Sequence, residues 1–114
     1  MGDKPNILVV CGRNKRRSRT AEFIFKNDSR FRIRSVGLSP KSERQIKEKD
    51  IEWADLIFVM EEGQDSRILG TYRHLEIPPI EILHIDDIYD YLDTELIDIM
   101  TERINSTLTI AYKI

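Results

Sequence analysis

Residues 7–18 read Ile-Leu-Val-Val-Cys-Gly-Arg-Asn-Lys-Arg-Arg-Ser. The first four form a continuous apolar run rich in β-branched side chains, which predicts a strand that is covered on both faces. Apolar residues between positions 21 and 25 follow at helical spacing and predict a helix over Ser18–Asn27, which Ser18 or Thr20 could cap. The seven residues in between are therefore expected to form a short loop that joins a buried strand to a helix.

The rest of the chain repeats this alternation of strand and helix. Further strands are predicted over residues 32–36, 56–60 and 80–85, a helix over 63–73, and an exposed helix or ordered loop over 41–52. A final helix is predicted from about Asp93, with its inner side formed by Leu96, Ile97, Ile99, Met100, Ile104, Leu108 and Ile110. Right-handed crossovers between such strands predict an α/β three-layer sandwich, with a four-stranded parallel sheet flanked by helices, in a single domain over residues 1–114.

The charges are unevenly distributed along the chain. The formal net charge is only -2, yet residues 12–19 contain five basic side chains and no acid, while residues 81–102 contain eight acids and no Lys or Arg. A compact basic segment indicates a local anion site, whereas a nucleic-acid surface usually needs a broader basic face. Nucleic acid is therefore a disfavoured partner.

Cys11 is the only cysteine in the sequence, which rules out an internal disulfide and any metal site made of cysteines alone. An unpaired thiol is typical of a reducing compartment. The chain shows no signal-peptide pattern and no apolar stretch near the roughly 20 residues that span a bilayer. His74 and His84 lack the spacing of metal ligands. We therefore expect a cytoplasmic protein that needs no metal, cofactor or membrane.

The loop has the form Cys, five residues, Arg, Ser, and each part of it suits an anion. Five residues between Cys11 and Arg17 allow the backbone N–H groups to turn inward as a nest, and the following helix directs its free N–H groups to the same point. Arg17 can bind two phosphate oxygens at once. Ser18 can donate to a Cys11 thiolate, which this positive field favours. The alternative is that Cys11 is only a small core residue.

With four further segments, the sequence resembles the low-molecular-weight protein tyrosine phosphatases, and among them a compact bacterial branch. These segments are Ser18–Glu22 after the loop, Ser35–Gly37, Ala54–Glu61, and the triplet Asp87-Ile88-Tyr89. The resemblance implies that the Cys11 thiolate attacks phosphorus to give a phosphocysteine, with Arg17 binding the phosphate and Asp87 as the general acid. The substrate-binding residues it implies are Gly12, Arg13, Asn14, Lys15, Arg16, Ser18 and Tyr89.

This sequence departs from the family pattern at several positions. Ile88 replaces the proline of the family's Asp-Pro-aromatic motif, and Asp86 competes with Asp87 for the role of acid. Arg13 stands in place of a loop glycine, and Arg16 in place of a second cysteine. The missing cysteines make arsenate reduction the least favoured activity of this fold. Tyr89 and Tyr91 are the candidates for the walls of a substrate slot, Tyr91 being equally compatible with the core.

Two functions are predicted from these residues. The first is a phosphate-monoester hydrolase, preferably a protein tyrosine phosphatase, which acts on a phosphorylated protein or small aryl phosphate and releases inorganic phosphate. The second is a catalytically weak module that binds phosphoprotein or nucleic-acid ends through its basic loop. A monomer or weak dimer is expected in either case.

Overall fold

The computed structural model describes residues 4–114 and contains eight regular elements. In chain order these are β1 (Asn6–Cys11), α1 (Arg17–Phe25), β2 (Arg32–Gly37), α2 (Glu48–Trp53), β3 (Leu56–Val59), α3 (Gln64–Thr71), β4 (Ile80–Ile82) and α4 (Thr94–Tyr112). Strands and helices thus alternate along most of the chain, as the sequence predicts.

The four strands form one parallel sheet in the order β2-β1-β3-β4. Cys11 at the end of β1 lies opposite Gly37 of β2, and Val10 lies opposite Val59 of β3. The chain runs from β1 outward to β2 and then returns to the other side of β1. In parallel sheets, ligands bind beyond the carboxyl ends of the strands at such a reversal. Here that point lies directly after Cys11.

Alternate residues of β1 face the two sides of the sheet. Ile7, Val9 and Cys11 belong to the core cluster beneath α1 and α4, while Leu8 and Val10 belong to the cluster beneath α2 and α3. All five are buried. Helices therefore cover both faces, which confirms the predicted three-layer α/β sandwich.

Several predicted boundaries shift by a few residues. The third strand ends at Val59 rather than Met60, and the fourth ends at Ile82 rather than Ile85. Pairing continues beyond β4, because the N–H groups of Leu83 and Ile85 donate to the carbonyls of Val59 and Met60. His84 between them has a φ of 55°, a left-handed conformation that interrupts a regular strand. The segment 41–52 combines the two predicted possibilities, since an ordered loop precedes the short helix α2.

Two apolar side chains of the helices are exposed. Phe23 on α1 is 46% exposed, with the ammonium of Lys26 lying over its ring, and Ile110 near the end of α4 is 83% exposed. The buried stripe of α4 consists of Leu96, Met100, Ile104 and Leu108, one residue per turn. Ile110 lies off this stripe, so its inward assignment was wrong.

Candidate active site

The loop after β1 places its functional side chains at the carboxyl edge of the sheet. Cys11 is the last residue of β1, and Arg17 is the first residue of α1. The side chains of Cys11, Asn14, Arg17 and Ser18 are buried, whereas Arg13, Lys15 and Arg16 are exposed. The loop therefore has an inner polar set that is held by the protein and an outer basic set that faces solvent.

The sulfur of Cys11 has two polar neighbours. Its Sγ lies 2.9 Å from the Oγ of Ser18 and accepts a hydrogen bond from the backbone N–H of Asn14 at 3.2 Å. A thiolate can only accept hydrogen bonds, so in that state the Ser18 hydroxyl must be the donor. Both contacts can therefore serve as hydrogen bonds donated to the sulfur when it acts as a nucleophile.

Asn14 determines the shape of the loop. Its φ of 52° is in the left-handed region, which asparagine tolerates better than most residues with a Cβ. Its side-chain Nδ2 donates to the Oγ of Ser18 at 2.9 Å. Asn14 therefore supplies a backbone donor to Cys11 and orients the hydroxyl of Ser18.

Arg17 is 4% exposed and reaches from α1 to segments after β3 and β4. Its Nη1 donates to the carbonyl of Ile85 at 2.7 Å and lies 3.2 Å from the Oε1 of Glu61. Its Nε lies 3.7 Å from the Oδ1 of Asp87. A buried guanidinium with these three oxygen neighbours has a fixed position at the centre of the site.

The N-terminus of α1 is not capped by a side chain, so the prediction that Ser18 or Thr20 caps it was wrong. Ser18 instead contacts Cys11, and the hydroxyl of Thr20 donates to the carbonyl of Arg16 at 2.7 Å and accepts from the N–H of Leu92. The first turn contains no acidic residue. Its free N–H groups and the positive end of the helix dipole are therefore available to an anion in the loop.

The segment after β4 brings Asp87 to the site. Asp86, Asp87 and Ile88 are exposed, and Asp87 is the one of the two acids that contacts Arg17 in residues 4–114. Asp93 caps α4, with its Oδ1 accepting from the N–H groups of Glu95 and Leu96. The predicted assignment of Asp93 to a helix start agrees with this contact.

The two tyrosines of this segment occupy different environments. Tyr89 is partly buried against the core under α1 and α4, and this burial together with Glu95 raises the pKa of its hydroxyl. Tyr91 is 43% exposed, with the guanidinium of Arg19 5.9 Å from its ring centroid, so it is not a core residue. Neither ring lines the site cavity described next, so the predicted aromatic wall is not formed in this structure.

A cavity of about 460 Å³ opens above Cys11. Its lining consists of Cys11, Gly12, Arg13, Lys15, Arg16, Arg17, Glu61, Gln64 and Asp87. No sequence motif assigns a role to Glu61 or Gln64. The Oε1 of Gln64 accepts from the N–H groups of Met60 and Glu61, which fixes the turn after β3. Glu61 and Gln64 follow the buried strand β3, and the carboxyl ends of parallel strands meet at one edge of the sheet. This position in the sequence is the signal that could have indicated a place in the site.

Residues 4–114 contain no group of three or more His, Cys, Asp or Glu side chains that could hold a metal ion. Over the same residues, no helix combines the length and apolar character needed to span a bilayer.

Comparison with known proteins relates this geometry to solved structures. No protein-family model and no curated sequence matches the chain. The low molecular weight protein tyrosine phosphatase SP-PTP from Streptococcus pyogenes is similar with a TM-score of 0.74 and 18% identity, over 94% of this chain and 93% of that one. The tyrosine phosphatase Wzb from Escherichia coli, in complex with phosphate, is similar with a TM-score of 0.68 and 16% identity, over 96% of this chain and 99% of that one. The YwlE arginine phosphatase from Geobacillus stearothermophilus has a TM-score of 0.66 and 18% identity, over 95% of this chain and 97% of that one.

These matches extend over nearly the whole of both chains, although the sequences have diverged widely. The arrangement of strands and helices is thus shared with these proteins. The chain has the fold of the low-molecular-weight protein tyrosine phosphatases.

Proposed function

We propose that the protein is a cysteine-dependent phosphatase that acts on phosphorylated proteins, with phosphotyrosine as its preferred phosphorylated residue. The observation that carries this proposal is the pair of contacts at the Cys11 sulfur, with Ser18 Oγ at 2.9 Å and the N–H of Asn14 at 3.2 Å. A purely structural cysteine in an apolar core does not need two polar neighbours. The fold and the names of the similar tyrosine phosphatases support the same activity.

In the proposed reaction, the substrate phosphate enters the cavity above the loop. Nη1 of Arg17 is held by Ile85 and Glu61, whereas Nε has only the 3.7 Å contact with Asp87, which is longer than a hydrogen bond. Nε and Nη2 are therefore the donors for two phosphate oxygens. The sulfur attacks phosphorus, an S–P bond forms, and the bond from phosphorus to the leaving oxygen breaks. Asp87 gives its proton to that oxygen. Ser18 Oγ and the loop N–H groups stabilise negative charge throughout.

The second half of the proposed reaction returns the enzyme to its starting state. Asp87, now a carboxylate, takes a proton from water as the water oxygen attacks phosphorus. The S–P bond then breaks, inorganic phosphate leaves, and Cys11 is again a thiolate that accepts from Ser18. A covalent phosphoenzyme is consistent with one similar structure, a Cys-to-Ser mutant of the YwlE arginine phosphatase, which is described as having a phosphorylated active site serine.

Phosphoarginine is a second candidate substrate, because of what lines the cavity. Among the residues that the structure describes, no aromatic side chain lines it, whereas the carboxylates of Glu61 and Asp87 and the amide of Gln64 do. Such groups suit a guanidinium better than a phenyl ring. Two of the similar structures are called arginine phosphatases, which fits this candidate.

The test compares hydrolysis of three substrates by the wild type and by Cys11→Ser. These are para-nitrophenyl phosphate, a phosphotyrosine peptide and a phosphoarginine peptide of the same sequence. We expect phosphate release by the wild type and a loss of about a thousandfold or more in the variant. The ratio of kcat/KM for the two peptides decides between the two substrates.

Equal rates in the two proteins would end the phosphatase proposal. If neither protein releases phosphate but both bind the peptides, the chain is the phosphate-binding module that the sequence also allows. Thermal unfolding of Cys11→Ser is the necessary control, because Cys11 lies in the core and its loss could disturb the fold.

A further inference from the structure

A second, smaller cavity lies beside the one above Cys11. It has a volume of about 210 Å³ and is lined by Arg13, Lys15, Lys41 and Glu43. Arg13 and Lys15 also line the larger cavity, so the two are neighbours that share one wall. A group bound in the smaller cavity would therefore be close to a phosphate held over the loop.

The smaller cavity is cationic. Glu43, its one acid, is neutralised by a salt bridge with Arg19. Arg13, Lys15 and Lys41 are exposed and form no salt bridge within residues 4–114. Three unpaired cations around one small cavity attract an anion, and they lose no internal ion pair when they bind it.

Lys41 is brought to this place by main-chain contacts between two loops. The N–H of Leu38 donates to the carbonyl of Cys11 at 3.0 Å, and the N–H of Ser39 donates to the carbonyl of Gly12 at 2.8 Å. Gly37 permits this approach, because a Cβ there would lie 2.7 Å from backbone atoms of the phosphate loop. The position of Lys41 relative to the loop is thus built into the fold.

The opposite side of the larger cavity has the reverse charge. Glu61 and Asp87 line it and share a single cation, Arg17, and the exposed Asp86 and Asp90 lie on the same segment as Asp87. A nucleic-acid strand, which has a phosphate at every nucleotide, would meet repulsion on that side. A peptide with a single extra carboxylate on one side of the phosphorylated residue suits both walls.

We propose that Arg13, Lys15 and Lys41 form a second anion subsite, which selects phosphoproteins with an acidic residue one or two positions from the phosphorylated one. This inference rests on the proposed function and names its substrate class. The distance of one or two positions follows from chain geometry, since successive residues of an extended peptide are spaced about 3.5 Å apart and the two cavities are neighbours.

The test uses matched peptides that carry the phosphorylated residue preferred in the assay above, with Glu or Gln at each position from two before it to two after it. For the wild type we expect kcat/KM to be about threefold or more higher with Glu than with Gln at one of these positions. Lys41→Met should bring that ratio close to one, and Lys41→Glu should invert it. Lys49→Met, an exposed lysine on α2, is the matched control and should keep the wild-type ratio.

Two further measurements separate this inference from the activity. Binding of the same peptides to Cys11→Ser, measured by fluorescence anisotropy, reports the preference for Glu without turnover. If the wild type hydrolyses no peptide, the phosphatase proposal ends, but the subsite can still be tested by this binding assay. The preference should also shrink when the salt is raised from about 0.05 M to about 0.5 M. A ratio of one in both assays overturns the subsite, as does tighter binding of a 5′-phosphorylated oligonucleotide than of the acidic peptide.

Discussion

Nη1 of Arg17 donates a 2.7 Å hydrogen bond to the carbonyl of Ile85, which is 68 residues away in the sequence. The N–H of Ile85 in turn donates to the carbonyl of Met60. The segments that follow β1, β3 and β4 are therefore joined at one point, where the buried guanidinium lies. This link places Asp87, two residues after Ile85, beside the loop that contains Cys11.

Replacement of Arg17 by lysine should lower kcat/KM by about a hundredfold or more. Lysine keeps the charge but lacks the planar set of donors that can hold Ile85 and two phosphate oxygens together. The measurement is phosphate release from an aryl phosphate. Arg73→Lys, an exposed arginine outside the cavity, should behave like the wild type. A kcat/KM of Arg17→Lys within threefold of the wild type would contradict the phosphate-binding role of Arg17.

Asp87→Asn should remove the high-pH limb of the rate profile, because a general acid is active only while protonated. The loss in kcat should be about a hundredfold for phenyl phosphate and smaller for para-nitrophenyl phosphate, whose leaving group needs less protonation. Asp86→Asn is the matched control, since Asp86 has no salt bridge to Arg17 in the described chain. A lost limb in Asp86→Asn instead would transfer the role to Asp86.

Asn14→Gly and Asn14→Ala together separate two contributions of this residue. Both variants lose the hydrogen bond to Ser18 and should lose kcat to a similar degree, about tenfold. Only alanine must adopt the left-handed φ with a Cβ, so Asn14→Ala should be about 1 kcal/mol less stable than Asn14→Gly. Urea unfolding measures the difference. Equal stabilities would show that the loop relaxes to another conformation.

Gly37→Ala should destabilise the protein by about 1–3 kcal/mol, because the new methyl group would lie 2.7 Å from the backbone of Arg13 and Asn14. It should also move the loop with Lys41 and weaken the preference for acidic peptides. Gly70→Ala is the matched control: nothing lies within 4 Å of the added Cβ in α3, so this variant should gain about 0.5 kcal/mol. Chemical denaturation of both proteins tests the pair.

Stability below pH 4 should depend on Asp28. The side-chain hydrogen bonds from Arg30 lower the pKa of this carboxyl, and Arg30 also donates to Asn105 on α4. A lowered folded pKa gives stability that is present above the unfolded pKa and is lost as pH falls through the folded one. Asp28→Asn should therefore cost about 1 kcal/mol at pH 6, and this difference should shrink as the pH falls from about 4 toward 2.

The control for this prediction is Asp98→Asn, an exposed carboxylate without a salt bridge in residues 4–114. It should leave the pH dependence of unfolding unchanged. A constant difference between Asp28→Asn and wild type across this range would show that the interaction does not depend on the carboxylate charge.

The parts of the site that could be predicted are local in sequence. Cys11, Arg17 and Ser18 follow one strand at fixed offsets, so a single βα unit brings them together. Glu61 and the carbonyl of Ile85 come from other strands, and their meeting with Arg17 depends on strand order, which local periodicity does not determine. The left-handed turn at His84, which ends β4 early, likewise has no marker such as glycine. The proposed role of Lys41 depends on Gly37, which lies so close to the backbone of Arg13 and Asn14 that a Cβ would not fit. This close packing is visible only in the three-dimensional structure.

The contacts that attach the loop of Lys41 to the loop of Cys11 are mainly bonds between peptide groups, from Leu38 and Ser39 to Cys11 and Gly12. Peptide groups are the same for every residue type except the N–H of proline. The side chain of Lys41 takes no part in these bonds, so it can be exchanged without loosening the catalytic loop. Substrate preference and chemical competence can then evolve, or be engineered, as separate traits of this scaffold.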